Sequence, residues 1–194
     1  MEKADELLRL AADNSIIFAD VFGNLFGGWA RAMGGYYLDG IAKITKAHDF
    51  MKSAGAIGML PFSLGLFAES HLENDELEKV QAVLNRAFSE LKRHRNYMWR
   101  AELHRLKGEV LKRSDDRLGE AEECFRKGLD IARGQKAPSL ELRASMSLAR
   151  LWQRQGRRAE AKKLLKPVYD RFTEGFDTKD LIKAKAVLKE LGGL

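Results

Sequence analysis

The segment "LARLWQRQGRRAEAKKLLKPV", residues 148–168, decides the fold because it reads as two amphipathic helices joined at one glycine. Two small residues, Ala149 and Ala161, lie on either side of Gly156, and Leu165 follows Ala161 by four positions. Residues four apart share one face of a helix, so a small residue beside a large one lets a second helix approach closely. The segment therefore predicts a helical hairpin that turns at Gly156.

This spacing recurs along the whole chain. Gly40/Ile44, Val80/Leu84 and Ala121/Phe125 repeat the Ala161/Leu165 pair at steps of 40 or 41 residues. A further small residue precedes each pair by twelve or thirteen positions, at Gly28, Ala68, Gly108 and Ala149. The sequence therefore predicts four hairpin repeats, each with a helix A and a helix B, over residues 16–55, 56–96, 97–137 and 138–175, and a capping helix over residues 178–192.

Gly128 tests this interpretation, because it follows Phe125 by three residues inside a segment that otherwise favours a helix. A glycine in a helix interior costs about 1 kcal/mol relative to alanine. We therefore expect another helix to approach closely at Gly128.

The composition supports an all-α protein. Only 3 prolines occur among 194 residues, and charged residues make up 32% of the chain. The lone Cys124 excludes an internal disulfide framework, and the start "MEKADE" lacks the pattern of a secretory signal, so a cytoplasmic location is expected. Asp20, Asn24 and Arg31 interrupt the most apolar segment, which argues against a membrane span.

The repeats resemble the tetratricopeptide repeat (TPR). The fourth repeat follows that motif in register, with the residues Leu148, Ala149, Trp152, Gly156, Ala161, Leu165 and Val168. The resemblance implies a right-handed superhelical array with a concave groove lined by the A helices, in which the family binds segments of other proteins. The period of 40 or 41 residues departs from the family norm of about 34, and armadillo or HEAT-type pairs remain the alternative.

A narrower resemblance involves residues 101–111, 121–132 and 139–181. These segments are similar to the C-terminal TPR region of bacterial multidomain adenylate or guanylate cyclases and signalling ATPases. The likeness extends over about residues 20–192, and nothing in the chain corresponds to the cyclase or ATPase parts. It implies an interaction or regulatory role in bacterial signalling.

The sequence offers no catalytic, cofactor or metal site. In "GNLFGGWA", residues 23–30, Trp29 and Ala30 occupy the places where a phosphate-binding loop needs lysine and a hydroxyl residue. The four histidines lie in different segments without metal-ligand spacing, and Cys124 has no basic partner at a catalytic spacing. We therefore expect a protein that is not an enzyme and that binds no cofactor.

The TPR register nominates the residues of a partner-binding groove. Its first half is aromatic and apolar, whereas its second half is rich in arginine, which binds carboxylates through paired hydrogen bonds. A protein or peptide with an apolar anchor and an acidic end would fit; the alternative is that the arginines pair with Glu102 and Glu109. The nominated residues are Phe22, Leu25, Trp29, Phe62, Glu69, Arg105, Arg113, Arg143, Met146, Arg150 and Arg154.

The first repeat also predicts a homodimer. Its helix A is apolar over most of its surface and needs cover on several sides. A second copy could supply that cover, and packing against the chain's own helices is the alternative. The predicted dimer face comprises Phe18, Ala19, Phe22, Gly23, Phe26 and Gly27.

Nucleic-acid binding is the alternative function. In "LKRHRNYMWR", residues 91–100, four cations surround His94, Tyr97 and Trp99. Cations contact phosphates and aromatic rings stack on bases. The same segment ends one helix, where cations are favourable, and Trp99 has a ready packing role, so protein binding is the preferred interpretation.

Overall fold

The computed structural model describes residues 2–14, 17–95 and 97–192. About 81% of the described residues are helical, and none of them forms a strand. The α-helices are α1 (Glu2–Asn14), α2 (Ile17–Ala32), α3 (Tyr37–Ser53), α4 (Leu60–Glu73), α5 (Leu77–His94), α6 (Arg100–Leu111), α7 (Leu118–Gly134), α8 (Pro138–Arg154), α9 (Arg158–Tyr169) and α10 (Lys179–Glu190). Two predicted positions, Ile16 at the start of the first repeat and Asn96 at the end of the second, lie outside the described residues.

The helices form two compact units, an N-terminal unit (residues 1–99) and a C-terminal unit (residues 100–194). In the N-terminal unit, α2 pairs with α3 and α4 with α5, while α1 packs on α2. In the C-terminal unit, α6 pairs with α7 and α8 with α9, and α10 packs on both α8 and α9. Each hairpin occupies one forty-residue period of the sequence.

The glycines of the small positions lie where two helices meet. A Cβ atom added at Gly40 would lie 2.5 Å from the carbonyl oxygen of Gly28 and 2.6 Å from the nitrogen of Ala32. A Cβ atom at Gly108 would meet the ring of Phe125 at 2.5 Å, and one at Gly128 would lie 2.9 Å from the carbonyl oxygen of Ala101 in α6. The helix close to Gly128 is therefore α6, the hairpin partner of α7.

The C-terminal unit ends in an amphipathic helix whose inward face closes the core. Leu181, Ala184, Val187 and Leu188 of α10 are buried against α8 and α9. Thr178 precedes the helix in an extended conformation, and Gly192 follows it with φ +70°, in the left-handed region that favours glycine. No helix of the described part of the chain is long and apolar enough to cross a membrane.

Two buried histidines join α3 to α4 in the N-terminal unit. Arg86 of α5 donates a hydrogen bond to Nε2 of His48 over 3.0 Å, so the neutral ring carries its proton on Nδ1. That N–H donates to Oγ of Ser63 over 2.7 Å, and the Ser63 hydroxyl donates to the carbonyl oxygen of Leu60. Nδ1 of His71 shares a 2.8 Å hydrogen bond with the hydroxyl of Tyr37.

We expect the free energy of unfolding to fall as the pH is lowered from 7 to 5. Burial lowers the pKa of His48, His71 and His104 below the ordinary value of 6.5, and that of His104 to about 4. Neighbouring cations act in the same direction, namely Arg86 on His48, Lys79 on His71 and Lys127 on His104. The unfolded chain therefore binds protons first, and stability is lost below the unfolded-state pKa of about 6.5.

Urea unfolding at a series of pH values measures this loss. The window from pH 7 to 5 isolates the histidines, because the carboxylates with lowered pKa values lose their contribution only below about pH 4.5. Replacing His48, His71 and His104 together by glutamine should flatten the profile in this window. An unchanged slope in that variant would contradict the assignment.

Candidate interaction surfaces

Helix α2 is covered by its own chain on two sides. A Cβ atom at Gly23 would lie 2.7 Å from Cγ of Leu8, and one at Gly27 would lie 3.2 Å from Cβ of Ala4, so α1 occupies this side. Helix α3 occupies another side through the close approach at Gly28. Gly23 and Gly27 therefore face α1 and are removed from the surface that a second copy could contact.

A row of aromatic side chains, which we call the aromatic row, begins on another side of α2 with Phe18, Phe22 and Phe26 and continues through Phe62 of α4 to Trp99. Successive ring centroids are separated by 6.5, 5.9, 5.7 and 4.6 Å. Phe18 is 75% exposed and Phe26 44% exposed, whereas Phe62 is buried between Phe26 and Trp99. Phe18 and Phe26 are thus the exposed apolar part of the row, with the half-buried Phe22 between them, and exposed apolar patches are typical of interaction sites.

The other nominated residues of the N-terminal unit differ in accessibility. Leu25 is fully buried in the core and cannot contact a partner. The half-buried Trp29 donates its indole N–H to a carboxylate oxygen of Glu69 over 3.0 Å. Since Trp29 lies on α2 and Glu69 on α4, this bond joins the A helices of successive repeats.

In the C-terminal unit, the nominated arginines lie beside a buried carboxylate. Nε of Arg105 donates to both oxygens of Glu102, at 3.0 and 2.9 Å, and Arg143 reaches the same carboxylate at 3.1 Å. Glu102 is only 4% exposed. Burial alone would raise the pKa of Glu102, but Arg105 and Arg143 outweigh it and hold the pKa below its usual value. Arg143 also lies 3.9 Å from Asp180 of α10.

A second carboxylate continues this network. Glu109 pairs with Lys112, lies 3.6 Å from Arg105, and accepts a hydrogen bond from the Ser147 hydroxyl over 2.6 Å. Burial raises the pKa of Glu109, but Lys112 and Arg105 more than offset that effect and lower it. Arg105 and Arg143 thus form ion pairs with carboxylates of their own unit. The sequence analysis gave this pairing as the alternative to binding a partner.

The remaining groove positions of this unit are mixed. Met146 is buried. Arg154 pairs with Asp115 and donates to the carbonyl oxygen of Lys112. Arg113 is exposed, and Arg150 is exposed with no ion pair among the described residues. A binding role for an acidic end of a partner therefore depends on Arg150 rather than on Arg105 and Arg143.

In the segment of residues 92–100, the rings of Trp99 and His94 have contacts within the N-terminal unit. Trp99 stacks on Phe62 at 4.6 Å, and Nε2 of His94 lies 3.1 Å from Glu90. Lys92 and Arg93 are exposed near the carboxyl end of α5, where cations interact favourably with the helix dipole. Tyr97 is 46% exposed.

The chemistry of the buried polar groups is structural. The Ser63 and His48 pair, which the sequence did not reveal, is inaccessible, and Arg86 occupies the ring nitrogen that an orienting carboxylate would hold in a catalytic triad. Burial raises the pKa of the Cys124 thiol, which keeps it protonated and weakly nucleophilic. Among the described residues no group of three or more histidine, cysteine or acidic side chains could hold a metal ion.

These features define an all-α protein built of helical hairpins and a terminal helix, with an exposed aromatic row and an internally paired charge network. No protein family and no solved structure matches the chain. It is 28% identical over 127 residues to an uncharacterized protein of Rhizobium meliloti (strain 1021). The aligned part is 66% of this chain but 12% of that protein, so the chain spans a small fraction of its relative.

Proposed function

We propose that the chain is a TPR-like interaction module that does no catalysis and binds a segment of a partner protein on its A helices. The observation that carries the proposal is the aromatic row. Exposing large apolar rings to water is unfavourable in free energy, and a partner that buries them removes this unfavourable contribution. The close glycine contacts at the small positions of the repeats support the same family. A role in bacterial signalling is part of the proposal and rests on the sequence resemblance.

Within this proposal the partner's apolar side chains pack on the rings of Phe18, Phe22 and Phe26. Aromatic residues at the centre of an interface dominate binding energy, and truncating one costs about 2 kcal/mol or more. Independently of this row, Arg150 of the C-terminal unit is the candidate for contact with an acidic segment of a partner.

The double substitution Phe18→Ala and Phe26→Ala should weaken partner binding by roughly a hundredfold or more. Phe18 is 75% exposed and Phe26 44% exposed, so neither ring belongs to the fully buried core, and circular dichroism verifies that the variant is folded. Affinity capture from the host lysate, with and without nuclease, compares the protein recovered with the wild type and with the variant.

The matched control is Tyr36→Ala with Leu38→Ala, which removes two side chains that are 60% and 81% exposed outside the row. Recovery that is lost in the control as well as in the row variant would contradict the proposal. Material that disappears with nuclease would favour nucleic acid instead.

The sequence also predicted a homodimer through this helix. Since α1 covers Gly23 and Gly27, a second copy would contact Phe18, Phe22 and Phe26. The light-scattering mass of wild type and row variant distinguishes that case.

A further inference from the structure

The outward face of α10 is a second surface with an unusual charge pattern. The C-terminal unit contains 23 basic and 15 acidic residues, a net charge of +8, whereas the N-terminal unit has a net charge of −2. Four lysines of α10 are exposed, and none forms an ion pair among the described residues: Lys179, Lys183, Lys185 and Lys189. With Asp180 and Glu190, α10 has a net charge of +2, and within the described part of the chain its four lysines are the unpaired cations of this helix.

These lysines form two rows with an apolar strip between them. Lys179 and Lys183 lie one turn apart on one edge of the exposed face, and Lys185 and Lys189 lie one turn apart on the other. Ile182, which is 54% exposed, and the exposed Ala186 lie between the rows. An apolar centre with a charged rim is the usual arrangement of a protein interface.

Exposed cations of two other helices in the C-terminal unit pair with acids. Arg126 of α7 pairs with Glu122 at 2.7 Å, and Lys166 of α9 pairs with Asp170, which follows that helix, at 2.8 Å. The acids of α10 have partners other than its lysines, since Asp180 lies 3.9 Å from Arg143 and Glu190 accepts a hydrogen bond from Gln153. Mixed charge suffices to keep a helix face in water, whereas a face of one sign attracts a partner of the opposite sign.

We infer that the outward face of α10 binds an acidic amphipathic helix of a partner protein. The apolar stripe of that helix packs on Ile182 and Ala186, and acids on its two edges pair with the two lysine rows. A nucleic-acid backbone needs one continuous track of cations, and no aromatic side chain of α10 offers a base-stacking partner. A membrane helix would need its apolar face in lipid, but that face of α10 is buried on α8 and α9. This site is separate from the aromatic row and does not depend on the function proposed for it.

The test uses the full chain and a synthetic, fluorescently labelled amphipathic helix of leucine and glutamate. Wild type should bind the peptide with an affinity that falls as salt is added, and replacing the four α10 lysines by glutamine should weaken binding roughly tenfold or more. Ile182→Ser should also weaken binding, because it removes the apolar centre while leaving the charge unchanged.

The control replaces Lys52, Lys92, Lys127 and Lys136, four exposed lysines outside α10, by glutamine. This variant has the same net charge as the α10 variant and should bind the peptide like wild type. An equal loss of peptide affinity in both variants would overturn the inference.

Two further probes are a DNA duplex of mixed sequence and vesicles of phosphatidylserine and phosphatidylcholine. Binding of either one that depends on the α10 lysines, without binding of the peptide, would also overturn it. Circular dichroism verifies that both variants are folded.

Discussion

Glu102→Ala is expected to lower the free energy of unfolding of the C-terminal unit by about 3–5 kcal/mol. The carboxylate of Glu102 is buried and compensates two guanidinium groups, those of Arg105 and Arg143. Arg105 is only 8% exposed, so it cannot turn into water without disturbing α6. Removing the carboxylate takes away the anion closest to both cations and leaves the more distant Glu109 and Asp180, at 3.6 and 3.9 Å, which costs more than the pair contributes when intact. Urea unfolding followed by circular dichroism measures the change.

An exposed pair provides the control for Glu102. Glu120 accepts two hydrogen bonds from Arg117 at 2.8 and 2.9 Å, but both side chains are about half exposed. Glu120→Ala should therefore leave the free energy of unfolding almost unchanged. If the two substitutions were equally harmful, the burial of the Glu102 network would not be the cause. Glu102→Gln should recover part of the loss, because its amide oxygen still accepts a hydrogen bond.

The positions of the helices could be predicted from the sequence because packing leaves a periodic trace. Ala161 and Leu165 recur as Ala121 and Phe125, and Gly156 marks a turn with φ +80° between α8 and α9. Each trace involves residues a few positions apart, so helix geometry alone connects them. The helix that approaches a small residue can also be close in sequence. Gly128, for example, lies against α6, which belongs to the same hairpin.

The binding surface was harder to predict because it depends on contacts between repeats. The family register assigned Leu25 to the groove, but α2 turns this side chain into the core, and the longer period of these repeats means that register cannot be transferred position by position. The spacing of Phe18, Phe22 and Phe26 is visible in the sequence, whereas their continuation through Phe62 and Trp99 joins residues far apart in the chain. Likewise, Arg143 and Glu102 are far apart in the sequence, so no short motif indicates that they pair.

Gly40→Ala is expected to destabilise the N-terminal unit by about 3 kcal/mol. The atoms that the new methyl group would meet, the carbonyl oxygen of Gly28 and the nitrogen of Ala32, belong to the backbone of α2. Unlike the end of a flexible side chain, they can move only if α2 and α3 separate. That separation would also open the contact between Gly28 and the fully buried Ile44. The helix propensity of alanine offsets only about 1 kcal/mol of this cost.

Gly119→Ala separates the packing cost from the backbone effect of the same substitution. Gly119 lies in α7 with no atom within 4 Å of an added Cβ, so the substitution should be neutral or stabilise the protein by up to about 1 kcal/mol. Thermal or urea unfolding measures the change in the free energy of unfolding of each variant. A loss for Gly40→Ala and a gain for Gly119→Ala would mean that the approach of α2 requires glycine at position 40. If both variants were equally stable, the backbones of α2 and α3 would have to be farther apart than the Gly28 and Gly40 contact indicates, and the small positions of the repeat would need another explanation.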